Sequence, residues 1–350
     1  MTARVTVIIP TYRRPHMLAR AIRSVLRQTY SDLVVCVYDN ASSDETESVV
    51  DALRAEDARI QYQRHGENIG SFANFVHGME RVATDFFSFL SDDDVIFPNF
   101  LATAVKELER NPDAMMFAGS TLELSEDGTL QYAPVALWPR EGRYDPPEGA
   151  QRMLGNRHPT WTSILFRRDV IKHIGLLDSG VGAPSDLDYE LQVAAHFPII
   201  LSFTPCAAYV RHAQAGSQRE DTSVVVGYER IAEKFGADSS LMPKFRAAMA
   251  SAIERQRQVK LAEIAVKSVV HGDDAVAREA LSLLREHRTP LGSVLGIALS
   301  ITMKFPFARG LLAVAESLRM QMRASKAARM SVKTSGHDKL QTDLFDLTRR

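Results

Sequence analysis

Three consecutive carboxylates, Asp92-Asp93-Asp94, follow the apolar run Phe86-Phe87-Ser88-Phe89-Leu90 with only Ser91 between. A continuous apolar run is what a strand buried on both faces requires. The acids need a separate reason. Two like charges about 4 Å apart repel by roughly 1 kcal/mol in water and roughly 4 kcal/mol at an effective dielectric near 20. Three of them at a strand end therefore demand full solvation or a cation. Carboxylate oxygens suit a hard divalent ion, Mg2+ or Mn2+, that keeps open positions for phosphate oxygens. In open α/β sheets, ligands bind at the carboxyl ends of strands. The competing reading is a solvated acidic turn that caps a helix starting near Pro98.

The elements that must hold these acids can be read from the preceding residues. Val5-Thr6-Val7-Ile8-Ile9 is a β-branched run stopped by Pro10, and Thr11 to Pro15 is a loop. Met17, Leu18, Ala21, Ile22, Val25 and Leu26 recur at helical spacing. Leu33 to Tyr38 is a second buried strand that ends in Asp39-Asn40, and Glu45 to Glu56 is helical. Ile60 to Gln63 is a short strand, and Asn68-Ile69-Gly70-Ser71 opens a helix with Phe72, Phe75, Val76 and Met79. This β-α-β-α-β-α-β alternation implies an α/β fold with a parallel sheet and helices on both faces. Right-handed crossovers then bring Thr11-Tyr12, Asp39-Asn40 and the three acids to one sheet edge, which favours the ligand reading over the solvated turn.

Further along, a helix is expected over Pro98 to Asn111 and a hairpin around Glu126-Asp127-Gly128. Residues 134–160 are rich in Pro, Gly and Arg and read as an irregular active-site loop. Strands are expected over Trp161 to Phe166, Ile199 to Phe203 and Ala207 to Arg211, with helices over Arg168 to Ile174 and from Asp186. These are antiparallel additions to a mostly parallel sheet. From about residue 221 only helical periodicity remains. The expected domains are 1–220, a helical region over 221–335, and a polar tail over 336–350.

Composition narrows the function classes. The chain has 350 residues, 45% hydrophobic and 24% charged, as in soluble globular proteins. A formal net charge of −1 gives no global field for nucleic acid, so no nucleic-acid partner is expected. The only two cysteines, Cys36 and Cys206, lie in apolar strand-like runs and read as buried thiols. No signal peptide is expected from the first residues, and no run reaches the length of a membrane-spanning helix. The expected location is cytoplasmic. Residues 290–333 leave two readings open. Either they pack as helices on the first domain or at a homodimer contact, or the apolar segment and the cations Arg319, Arg323, Lys326, Arg329 and Lys333 lie on the inner face of an anionic membrane.

The motifs taken together resemble the inverting family 2 glycosyltransferases of the GT-A fold over about residues 4–217. The resemblance rests on Val5 to Arg14, Ser24-Val25-Leu26-Arg27-Gln28-Thr29-Tyr30, Tyr38 to Asp44, Asn68-Ile69-Gly70, and Phe89 to Asp94, in that order. It implies a Rossmann-like, mostly parallel sheet and metal-dependent transfer of a sugar from a nucleotide diphosphate, UDP- or dTDP-linked, to an acceptor hydroxyl. The acceptor would be a glycan or a lipid-linked glycan in surface polysaccharide synthesis. It implies that Pro10, Thr11 and Tyr12 line the base and ribose, that Asp39 accepts from the base, and that Arg14, Asn68, Gly70 and Asp92 complete the nucleotide site. Asp93 would bind the metal, with Asp94 as the alternative ligand and His212 as a further one. Asp186 would be the catalytic base, with Asp188 as the fallback, and Trp161 and Asp188 would face the acceptor. Ser91 and Ser185 stand where the family has acids. Those two departures keep open a non-catalytic nucleotide-sugar or glycan-binding protein on the same fold.

Overall fold

The computed structural model describes residues 3–124, 130–155, 157–210 and 222–286, with helical residues at 299, 310, 312–314, 318 and 322. The chain divides into two compact units. The described parts of Met1–Ser179 and Tyr189–His212 make one, and those of Gly180–Asp188 and Ala213–Ser325 make the other. The change of character expected near residue 220 is present, but the short segment Gly180–Asp188 groups with the helices that follow it.

In the first unit, β1 (Val5–Thr11), β2 (Leu33–Asp39), β3 (Ile60–Arg64) and β4 (Phe86–Phe89) form the parallel half of the sheet, ordered β3-β2-β1-β4. Their connections are α1 (Pro15–Leu26), α2 (Thr46–Glu56) and α3 (Ser71–Glu80). Side chains on β1 alternate between the two faces. Val5, Val7 and Ile9 join Leu18, Ile22, Val25, Val50 and Leu53 in one buried core. Ile8 points the other way, toward α3. There Gly78 is required, because a Cβ would lie 2.5 Å from Ile8 Cγ2 and 3.0 Å from the Tyr38 ring.

Six further strands extend the sheet: β5 (Val95–Ile96), β6 (Met116–Leu124), β7 (Leu130–Tyr132), β8 (Gly142–Tyr144), β9 (Ile164–Arg167) and β10 (Ile199–Val210). From β4 the order runs β9-β6-β10-β5, with β7 on β6 and β8 on β10. The β9 ladders are antiparallel and β10 runs parallel to β6, which gives the expected mixed sheet. The helix α4 (Phe100–Arg110) buries Leu101, Ala104, Val105 and Leu108 in the main core. The arms of the expected hairpin pair as β6 and β7; its tip lies outside the described residues.

Four expectations are corrected. The first strand does not stop at Pro10: β1 continues through Pro10 and Thr11, which pair with Tyr38 and Asp39 of β2. Residues 134–160 are not one irregular loop: they contain a 3-10 turn, β8 and α5 (Glu148–Met153), and Trp138, Tyr144 and Met153 are buried. The stretch from Trp161 begins as a 3-10 turn over Trp161–Ser163, so the strand itself starts at Ile164. The two strands expected after residue 198 are one, β10, whose register to β6 shifts around Pro205. Proline removes one ladder donor and is accommodated by a bulge without ending the strand. A short helix, α6 (Val170–Ile174), and then α7 (Ser185–His196) precede β10.

The second unit holds α8 (Val224–Ala237), α9 (Pro243–His271) and α10 (Asp274–Glu286). Val225, Leu261, Ile264, Val269, Ala277, Leu281 and Leu284 form its core. Arg257 of α9 is fully buried and donates to Glu229 of α8 at 2.7 Å and to Glu254 at 2.8 and 2.9 Å. A buried guanidinium without such partners would cost several kcal/mol, of the order of 3–5. Among the described residues no helix is long and apolar enough to cross a membrane.

Candidate active site

The site begins where β1, β2 and β4 end. In the parallel register Ile8 pairs with Phe89 and Thr11 with Asp39. Thr11 lies three residues past Ile8 and Asp92 three past Phe89, and the Thr11 hydroxyl donates to Asp92 Oδ2 at 2.8 Å. Arg14 closes the group from the start of α1: its Nη1 donates to Asp92 Oδ1 at 3.1 Å and to Asp93 Oδ2 at 2.7 Å. Arg20, two turns into α1, donates to the Asp93 carbonyl at 2.5 Å. From the turn before β9, the Thr162 hydroxyl donates to Asp94 Oδ2 at 2.6 Å.

The three acids are 6%, 7% and 2% exposed, which rules out the solvated acidic turn. Burial pushes Asp92 and Asp94 above the usual carboxylate range, and the neighbouring Asp93 charge pushes both further. Asp94 Oδ1 is buried with no hydrogen-bond partner among the described residues. A buried carboxylate oxygen of this kind favours either a proton or a cation. Among the described residues, no three His, Cys, Asp or Glu side chains converge as a metal cage. Mg2+ and Mn2+ do not need one: Mg2+ characteristically binds through one or two carboxylates, with substrate phosphates and water filling its other positions. The donor set of Asp93 with Asp92 or Asp94 fits such an ion, and Arg14 stands in for its charge here.

Around the end of β2, Asp39 is fully buried. Its Oδ1 accepts from the Ser42 N–H at 2.9 Å and its Oδ2 from the Tyr62 hydroxyl at 2.7 Å. A base N–H would therefore have to share or displace one of these donors. Asn40 and Asn68 tie this loop to the start of α3: Asn40 Nδ2 donates to Asn68 Oδ1 at 2.9 Å, which also accepts from the Gly70 N–H at 2.9 Å. The Ile69 N–H donates to Asn40 Oδ1 at 2.8 Å. Gly70 has φ +86°, a conformation that glycine adopts at little cost. Arg13 and Ala41, in the two facing loops, adopt φ 56° and 61°, which cost a non-glycine residue roughly 1–2 kcal/mol each. Pro10 is buried, while Tyr12 is 38% exposed beneath the Arg13 guanidinium. Thus Thr11, Arg14, Asp92, Asp93 and Asp94 lie together with Arg20 and Thr162; at the neighbouring strand end Asn40, Asn68 and Gly70 form a second group, beside Asp39 with its own partners Ser42 and Tyr62.

The remaining expected residues are placed differently. Trp161 is half-buried, stacked on Phe89 at 4.5 Å between centroids and edge-on to Phe75 at 5.6 Å. Its indole N–H is buried without a partner among the described residues. Asp186 sits on the first turn of α7, partly exposed, with Oδ1 accepting from the Leu187 N–H at 2.7 Å. Asp188, expected on the acceptor side, is 2% exposed and accepts from Lys234. Both belong to the second unit. His212 lies outside the described residues. Sequence reasoning missed Arg20 and Thr162. Neither sits in a pattern that signals a site, because the contact of Thr162 with Asp94 joins residues 68 apart.

Comparison with known proteins bears on the family and the fold. Residues 6–175 match the model of "Glycosyl transferase family 2". The chain is 35% identical over 105 residues to a GalNAc(5)-diNAcBac-PP-undecaprenol beta-1,3-glucosyltransferase of Campylobacter jejuni, covering 30% of this chain and 34% of that one. It is 31% identical over 120 residues to an uncharacterized glycosyltransferase of Rickettsia typhi, covering 34% and 36%. The chain thus spans about a third of the length of these curated relatives. Among solved structures, residues 1–349 of Staphylococcus aureus TarS, in complex with UDP-GlcNAc, superpose with a TM-score of 0.61 at 13% identity, covering 79% of this chain and 89% of that one. The mannosyltransferase PcManGT of Pyrobaculum calidifontis, in complex with GDP-Man and Mn2+, gives 0.56 at 17%, covering 96% and 89%. At these identities the two structures speak for the fold. Residues 6–175 thus carry the sequence of a family 2 glycosyl transferase domain, on a mixed sheet with the GT-A fold.

Proposed function

We propose that the protein transfers a sugar from a nucleotide diphosphate sugar to an acceptor hydroxyl, with inversion and with a divalent metal, Mn2+ or Mg2+. The observation that carries this reading is the buried Asp92-Asp93-Asp94 group, held by Thr11, Arg14 and Thr162 at the carboxyl edge of the sheet. Asp93 holds the metal, with Asp92 or Asp94 as the second carboxylate. When bound, the ion offsets the negative charge that grows on the leaving diphosphate. Arg14, displaced from the acids, is within the same neighbourhood to pair with a phosphate oxygen. The loops at Thr11-Tyr12 and Asn68-Gly70 hold the nucleoside. Asp186 removes the proton of the acceptor hydroxyl as its oxygen attacks the anomeric carbon, and one displacement inverts that centre. Trp161 borders the acceptor.

The acceptor class we favour is a lipid-linked glycan, the substrate type named in the Campylobacter relative. The cations between Arg319 and Lys333 would then hold the chain at an anionic membrane. Cosedimentation with anionic liposomes at low salt is the expected result, and none at low salt removes the membrane contact.

The direct test of the donor site is a thermal-shift series with UDP, dTDP and GDP, each with and without Mn2+. A ligand that binds only the folded chain raises its midpoint. One nucleotide should stabilise only with the metal, and its sugar conjugates should then support transfer or slow hydrolysis. Metal-dependent binding without turnover on any donor points to the non-catalytic alternative raised by Ser91 and Ser185. No binding at all sinks both.

A further inference from the structure

The segment Gly180–Asp188, which carries Asp186, is gripped by one face of α8. Gly227, Arg230 and Lys234 recur on that helix at i, i+3 and i+7 and so share a face. At Gly227 the helix touches the segment's backbone: a Cβ there would lie 2.2 Å from the Val181 carbonyl oxygen and 2.5 Å from Pro184 Cγ. One turn on, the Arg230 guanidinium lies over Gly180, where a Cβ would be 2.7 Å from Cζ. A further turn on, Lys234 donates to Asp188 Oδ2. Asp188 is 2% exposed, so its charge has little water to fall back on. Between these contacts Tyr228 is buried; burial pushes its hydroxyl up to about 12, and the nearby Asp186 charge acts in the same direction. α8 is itself tied to α9 by the buried Arg257, which pairs with the half-exposed Glu229.

We propose that α8 is the positioning element for Asp186, with Lys234 as its key positioning residue acting through Asp188. This rests on the reading of Asp186 as the proton acceptor. Lys234 touches neither donor nor metal in this scheme: it fixes the first turn of α7, and through it the direction of the Asp186 carboxylate. Misplacing a reacting group by about 1 Å costs up to about a hundredfold in rate.

The test uses the full chain and four variants: Lys234→Met, Lys234→Arg, Gly227→Ala, and the double variant Lys234→Met/Asp188→Asn, which leaves no buried charge unpaired. Amide hydrogen exchange, UDP–Mn2+ thermal shift and steady-state transfer are read on each, using the donor the wild type turns over. In Lys234→Met and Gly227→Ala, exchange over 180–188 should rise while exchange over 5–11 and 86–94 stays as in the wild type. Their kcat should fall by about tenfold to a hundredfold with donor KM unchanged, the pattern of a lost transition-state interaction. Lys234→Arg should restore most of kcat. The double variant should melt like the wild type and still show the low kcat. Unchanged exchange over 180–188, or an unchanged kcat in the double variant, overturns the positioning role while leaving the transferase reading intact. Normal turnover in Asp186→Asn, or no transfer by the wild type from any donor, overturns the reading of Asp186 and the positioning role with it.

Discussion

Arg14 Nη1 lies 2.7 Å from Asp93 Oδ2 and 3.1 Å from Asp92 Oδ1, so one guanidinium nitrogen bridges the two carboxylates proposed to meet the metal. A cation bound there competes directly with Arg14 for the same oxygens. Arg14→Gln should therefore bind Mn2+ alone more tightly, by about tenfold for each 1.4 kcal/mol of competition removed. It should bind UDP with Mn2+ more weakly, since a phosphate partner is lost. Isothermal titration of both ligands checks the opposite signs. A parallel loss of both would place Arg14 as a structural residue only.

Asp94 is expected to trade stability for function. Its pKa is raised in the fold by burial and by Asp93. The folded chain therefore holds this proton more tightly than the unfolded chain. The stabilising contribution is complete below the ordinary aspartate value and is lost as pH rises through the raised value. Asp94→Asn keeps an acceptor for the Thr162 hydroxyl and removes the charge. At neutral pH, without metal, it should melt higher than the wild type, by roughly 2–4 °C for each kcal/mol relieved. The gain should shrink toward pH 4, and metal-dependent nucleotide binding should fall. Scanning calorimetry across pH measures both trends.

Asp186→Asn should lose about 10²–10⁴ in kcat, the usual worth of general-base help, while the UDP–Mn2+ thermal shift survives. Steady-state transfer by the purified variant decides it: turnover near the wild-type rate removes Asp186 from the role.

Gln28 locks the segment that follows the acids. Its amide donates to the Phe97 carbonyl at 2.7 Å and its carbonyl accepts from the Leu101 N–H at 3.0 Å, so it ties the end of α1 to the start of α4. Gln28→Ala leaves the Leu101 N–H without this bond, while the Phe97 carbonyl keeps the Phe100 N–H at 3.0 Å. The expected loss is about 1–3 kcal/mol for the one buried group left unpaired. Urea unfolding reads it, and a midpoint within error of the wild type would contradict it.

How far the sequence carried can be seen in single residues. Val5, Val7 and Ile9 announced a buried strand, and Leu18, Ile22 and Val25 the helix that covers it, because alternation and helical spacing are local properties of the chain; Pro10, which read as the strand's end, lies inside it. Asp92-Asp93-Asp94 after an apolar run marked the site, because charge beside a buried strand is costly unless it has a purpose. The contacts that shape that site were not legible. Thr162 meets Asp94 across 68 residues, and Lys234 meets Asp188 across 46. Nor could the burial of Asp39, or the ordered core residues within 134–160, be read from composition. The sequence by itself determined the alternating strands and helices of the first hundred residues and which loop carries the acids. Tertiary structure alone decided which distant donors face each carboxylate, because hydrogen bonds of that kind depend on ångström-scale placement that no local periodicity encodes.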